Sequence, residues 1–212
     1  MTAAHATDYT WFEKRYPVLG EAYCLTQVQG ISAGELLRRF DALPGREVTG
    51  LEAVVEAWET FDDGEDEEAA ALLGEDDDRL LVAVTEADGW ALAVEVYGYL
   101  GSLHEVIPGL GDGTRLVSHF RNVNAVDHFN WWEHGTCRLR FEPLFADQRD
   151  GSDADAPGTV ELMAACGFRL DGNRYDLHTE AAFALAERLT EVRLTPERLE
   201  AATFRLGYAP RP

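Results

Sequence analysis

Lysine is nearly missing from this chain. Of its eighteen basic residues seventeen are arginine, and Lys14 is the one lysine. Arginine and alanine codons are GC-rich, so the bias points to a GC-rich genome of origin. Also missing is any apolar run near the roughly 20 residues that cross a bilayer. The opening stretch, MTAAHATDYTWFEKRY, has no basic segment followed by an apolar block. Neither a signal peptide nor contact with a membrane is expected, and the expected location is cytoplasmic. Cysteine is scarce and odd in number: Cys24, Cys137 and Cys166 lie far apart with no CxxC pair. That argues against a zinc ribbon, a redox pair or a disulfide framework, and leaves buried, reduced thiols as the expectation.

Catalytic signatures are absent too. There is no Gly-x-Ser-x-Gly elbow, and GLGDGT (residues 109–114) lacks the lysine and the strand-to-helix setting of a phosphate loop. His104, His119, His128 and His134 form no HxH or HxxxH pair, and two histidines need a third ligand to hold zinc. No metal and no cofactor is implied, and the reading leans away from an enzyme.

Negative charge is abundant. The formal net charge is −21 over 212 residues. Residues 1–110 carry 23 acidic and 6 basic side chains, whereas residues 111–212 carry 16 and 12. Such a field repels nucleic acid and anionic membrane and favours cationic partners. The stretch DDGEDEEAAALLGEDDD, residues 62–78, holds ten acids and no base, and reads as an exposed acidic insertion. It lacks the spacing of a calcium loop.

Local patterns predict one α+β domain over residues 9–206, behind a disordered N-terminus at 1–8. An antiparallel meander of five or six strands is expected to pack against helices. Ser32 with Glu35 and Thr49 with Glu52 have capping-box spacing. Leu51, Val54, Val55 and Trp58 fall on one helical stripe. A further helix is expected from the Thr195 cap through residue 207. LLVAVTE and WALAVEV read as paired strands joined by a three-residue bend at 87–89, which keeps their apolar residues on one face. A four-residue turn at 122–125 and a three-residue bend at 133–135 continue the meander. That register puts Leu116, Phe129, Trp131, Leu139 and Phe141 in one layer. It puts Arg115, His119, His128, Asn130, Trp132, Arg138 and Arg140 in the other, with His119 beside His128.

Three uses of these surfaces follow. The arginine-bearing layer, with Arg121, Trp132 and Tyr97, forms a candidate binding face, since arginine and tryptophan dominate interface energetics. The acids Asp62, Asp63, Glu65, Asp66, Glu67, Glu68, Asp76, Asp77 and Asp78 form a candidate surface for a cationic protein, as in an inhibitor or immunity protein. Trp90, Tyr97, Tyr99 and Trp131 could line an aromatic small-molecule pocket.

The segments GWALAVEVYGYLGS, GTRLVSHFRNVNAVDHFNWWEHGTCRLRFEPLF and LAERLTEVRLTPERLEAATFRLG together resemble an uncharacterised actinobacterial family of unknown function. The likeness spans roughly residues 9–206, and RNVNA after GTRLVS is its most specific element. The resemblance implies no activity and no catalytic residues.

Overall fold

The computed structural model describes residues 3–74, 78–172 and 176–212. Its strands are β1 (Tyr23–Gln29), β2 (Leu43–Thr49), β3 (Arg79–Ala87), β4 (Trp90–Val96), β5 (Arg115–Arg121), β6 (Asp127–Glu133), β7 (Thr136–Phe141), β8 (Arg149–Asp150) and β9 (Thr203–Pro210). They make one antiparallel sheet in the order β2-β9-β3-β4-β1-β5-β6-β7-β8. The α+β class and the antiparallel sheet are as the sequence predicts, but the sheet has nine strands rather than five or six, and β1 lies between β4 and β5 and so interrupts the meander. The last helix stops at Ala201, and the residues beyond it turn into β9. There Phe204, Leu206 and Tyr208 alternate into the core, and β9 pairs between β2 and β3. β2 begins with Leu43-Pro44-Gly45, and proline and glycine together hide an edge strand from a pattern search.

Both faces of the sheet are buried. The first face carries Tyr23, Leu92, Val94, Val117, Phe129, Leu139, Phe204 and Tyr208. Over them lie the N-terminal segment and the helices Leu51–Asp62, Pro157–Cys166 and His178–Thr190. Phe183 of the last helix sits at their meeting point. Its ring is 4.4 Å from Phe12, 4.5 Å from His119 and 5.2 Å from Tyr9. The second face carries Val28, Val82, Val84, Ala91, Ala93, Leu116 and Trp132, covered by the helix Ala33–Arg39 and the short helix Ile107–Leu110.

Double burial overturns the predicted registers. β3 and β4 join through a two-residue turn, with Asp88 at φ 49° and Gly89 at φ 82°, so Val84 faces Ala93 and Ala87 faces Trp90. Two successive positive φ values make the primed turn that matches strand twist. The three-residue bend was expected because it keeps apolar residues on one face. Here apolar residues are wanted on both. The β6–β7 turn is likewise two residues, His134 (φ 47°) and Gly135 (φ 77°). Between β5 and β6 the loop runs from 122 to 126, one residue longer than expected. Asn122 Oδ1 accepts from the amides of Asn124 and Val126, and Ala125 is left-handed at φ 56°.

Two local expectations also change. Residues 4–8 are not frayed: Ala4 and Ala6 are buried, and Arg188 Nε donates to the Ala4 carbonyl at 2.7 Å. Ser32 caps its helix by accepting from the Glu35 amide. Thr49 caps nothing, because Gly50 is the N-cap of the next helix and makes no side-chain cap.

A strap from Tyr97 to Leu103 crosses the second face and is tied down by one carboxylate. Glu95 is fully buried and accepts from the amides of Leu100 at 2.7 Å and Gly101 at 2.9 Å. The approach leaves no room for side chains: a Cβ on Gly101 would lie 1.8 Å from Thr26 Oγ1. Burial pushes the Glu95 carboxyl up to about 7, and the strap amides only partly offset this. A carboxyl raised in the folded state stabilises at low pH, and that contribution fades as pH rises through the folded value. His119, pulled down to about 3 by burial, works in the opposite sense below its ordinary value.

Two measurements test these packing arguments. Phe183→Ala should lower unfolding free energy by about 3–5 kcal/mol, read by urea denaturation; a loss under 1 kcal/mol would refute its central place. Glu95→Gln should remove a fall in stability on the order of 3 kcal/mol between about pH 4.5 and 8. Wild-type and variant curves that run parallel over that range would contradict the account, and the comparison cancels the His119 contribution.

Candidate functional site

The predicted arginine-bearing layer does not form. In β5, Arg115 faces Glu133 and His119 faces Phe129, so both lie on the same side as Trp131. Leu116 faces Trp132 on the other side. The chain offset at residues 122–126 moved every β5 side chain across the sheet. His119 and His128 therefore lie on opposite faces.

Most arginines are occupied inside the molecule. Glu133 draws Arg115 to 2.8 Å and Arg138 to 3.5 Å, and accepts from Trp131 Nε1 at 3.1 Å. Arg138 is the extra residue of a bulge opposite Trp131 and Trp132, and so turns toward Glu133 and Asp153. Arg115 also lies 5.7 Å above the Trp90 ring. Arg121 donates to Thr179 Oγ1 and stands 3.7 Å from buried Asp127, which also holds His178 at 3.0 Å. His119 is buried, with Nδ1 3.0 Å from the Tyr23 hydroxyl. Arg115, His119 and Arg121 are thus internal contacts of the first face.

The remaining candidates do gather. Thr26, Ser118, Asn130, Arg140 and Asp150 stand opposite one another across five successive strands, forming a polar line on the second face. Asn130 Nδ2 lies 3.4 Å from Ser118 Oγ, and Arg140 pairs with Asp150 at 2.7 Å. The line emerges from under the strap into an open cleft of about 520 Å3. Ser102, His104, His128, Asn130, Arg140 and Gln148 are among the residues that line it. Trp132 is buried behind His104, ring to ring at 5.8 Å, and its indole N–H has no partner among the described residues. The cleft thus unites three predicted residues, His128, Asn130 and Arg140, with His104 and Ser102, which sequence pattern gave no reason to combine. Among the described residues no cluster of histidine, cysteine or acidic side chains has metal-binding geometry.

The aromatic pocket is not assembled. Trp90 opens β4 and is buried beneath Arg115, whereas Tyr97 lies just past the other end of that strand. Tyr97 stacks on Trp58 with ring centroids 4.8 Å apart and planes 6° apart, and its hydroxyl donates to Glu21.

The acidic candidates divide differently. Asp62, Asp63, Glu65, Glu67 and Glu68 are exposed. Asp66 is buried: it caps the helix Glu67–Leu72, accepting from the amides of Glu68 and Ala69, and pairs with Arg46 at 2.9 Å. Asp78 is exposed and pairs with Arg211, while Asp76 and Asp77 lie outside the described residues. The acidic surface begins earlier than the sequence run does. Glu52, Glu56, Glu59 and Asp63 repeat every three or four residues along the exposed side of the helix Leu51–Asp62. Glu52 meets Arg15. Among the described residues, Glu56, Glu59, Asp62 and Asp63 meet no basic side chain.

Cys24 and Cys166 are buried free thiols, as expected, and Cys137 is half-buried. Among the described residues no helix is long and apolar enough to cross a membrane. Comparisons with curated proteins and with solved structures give no match. A family model described as "Family of unknown function (DUF6461)" matches residues 2–212. The chain therefore belongs to that family, which bears out the resemblance to a family of unknown function.

Proposed function

We propose that this protein is a binding module that engages a cationic protein through the outer side of the helix Leu51–Asp62. The observation that carries the reading is the stripe Glu52, Glu56, Glu59 and Asp63. Like charges three and four residues apart destabilise a helix by a few tenths of a kcal/mol per pair. Asp62 and Asp63 add negative charge at the end where the helix dipole is already negative, and the last turn holds no basic residue. Glu52 meets Arg15, but among the described residues no basic side chain offsets the charge of Glu56, Glu59, Asp62 or Asp63. A basic surface laid along the helix would remove these penalties. Trp58, on the core-facing side of the same helix, stacks on the partly exposed Tyr97, and large aromatic side chains of this kind anchor interfaces. Because most arginines are committed to internal pairs, the negative field faces solvent largely uncancelled.

A second reading rests on the cleft. Its polar line and its two histidines suit a small polar ligand, held by Asn130, His128 and Arg140.

Each reading has its own test. A partner captured from the source organism and purified should bind the Glu56→Arg, Glu59→Arg, Asp63→Arg triple variant at least tenfold more weakly at low salt. Its salt dependence should be flatter and its thermal midpoint no lower than wild type. Unchanged affinity in that variant would end the proposal. For the cleft, a metabolite that raises the midpoint of the wild-type protein should fail to do so with Asn130→Leu; equal stabilisation of both would place the ligand elsewhere.

A further inference from the structure

Where the N-terminal segment meets the start of the helix His178–Thr190 there is a second concavity, of about 120 Å3 and more enclosed than the cleft. Its floor is three buried rings, Phe12, Tyr23 and Phe183. Glu13, Asp176 and Glu180 stand around it. Gly20 completes the wall; a Cβ there would lie 2.7 Å from Glu13 Cγ, so glycine lets the Glu13 stem lie close. Behind Thr179 and His178 is Asp127, fully buried, with Oδ2 engaged by its neighbours and Oδ1 without a partner among the described residues.

Size and charge narrow the occupant. Ligand pockets for metabolites and cofactors run to roughly 300–1,000 Å3, so this one suits a single side chain or a small organic ion. Arg121 and the helix N-terminus, worth about half a positive charge, oppose Glu13, Asp176, Glu180 and Asp127. Even with His178 protonated, these four carboxylates outweigh the cationic groups among the described residues, and their sum is negative. An anion is therefore disfavoured, and aromatic faces attract a cation directly. Burial raises the Glu180 carboxyl above its ordinary range; the nearby Glu13 charge adds to this, while His178 and Arg121 oppose it.

We infer that this pocket receives an alkylammonium group, its stem against Phe12, Tyr23 and Phe183 and its charge among Glu13, Asp176 and Glu180. The inference rests on the reading of a cationic partner and names the group recognised, the end of a lysine side chain. The pocket lies next to the acidic stripe: Arg15, two residues beyond Glu13, pairs with Glu52, and Glu21, next to Gly20, holds the Tyr97 that stacks on Trp58.

The test uses the whole protein and three probes of one length: n-butylammonium, 1-butanol and butyrate. Amide chemical shifts are followed by NMR. Butylammonium should shift residues 12–23 and 178–183 in a saturable way, and Glu180→Gln should weaken that binding at least fivefold with the remaining spectrum unchanged. Butanol and butyrate should leave those amides still. Equal shifts with butanol, no saturation, or shifts confined to the helix Leu51–Asp62 would overturn the pocket. The last result would leave the acidic stripe as a cation-attracting surface, so failure of the pocket is separable from failure of the partner reading.

Discussion

One sheet sandwiched between two apolar layers is the constraint on which everything else depends. β4 is buried at every position, and β1 at all but its last. With no strand face left for water, neither β1 nor β4 can shift by one residue without exchanging the residues of two different cores. Primed turns at 88–89 and 134–135 and the loop at 122–126 set those registers. The turns in this protein therefore decide chemistry as well as shape. They determine which cores receive Leu116 and Trp132, and which side of the sheet receives His119 or His128.

Most carboxylates inside this sandwich have local partners, although Asp127 Oδ1 and the Trp132 indole N–H have none among the described residues. Glu95 fixes the strap by accepting its amides, which stations Ser102 and His104 at the cleft. Glu133 collects two arginines and an indole, and Asp127 gathers Arg121, His178 and Thr179. A buried carboxylate is costly unless it is paired or hydrogen-bonded. The arginines are the counter-charges for the acids that folding brings inward. The carboxylates left over lie outside, on the helix Leu51–Asp62 and the segment after it. The strongly negative exterior and the sparsely cationic exterior are two sides of the same distribution.

Much of the fold was legible from pattern. The six expected strands, the Ser32 and Thr195 caps and the opposite directions of Trp131 and Trp132 all hold. β9 was misread as helix, although Phe204, Leu206 and Tyr208 alternate with period two, because a good N-cap at Thr195 drew the helix too far. Site residues were less legible. Arg115 and Arg138 were expected at a binding face and instead serve Glu133: a one-residue difference in loop length reverses Arg115 with the rest of β5, and a bulge in β7 turns Arg138. His178 and Glu180 were not singled out, for nothing local marks a helix start as the rim of a cavity.

By itself the sequence determined the class of fold, the sign of the surface field and the lack of a motif-borne chemistry. Composition and short-range periodicity act over a few residues, and those properties need no more. Tertiary structure alone decided which faces were covered, which arginines were consumed and where cavities opened. Apolar alternation specifies a strand only when one face meets water. In β4, which meets none, two registers satisfy the local pattern equally, and packing across the sheet selects between them.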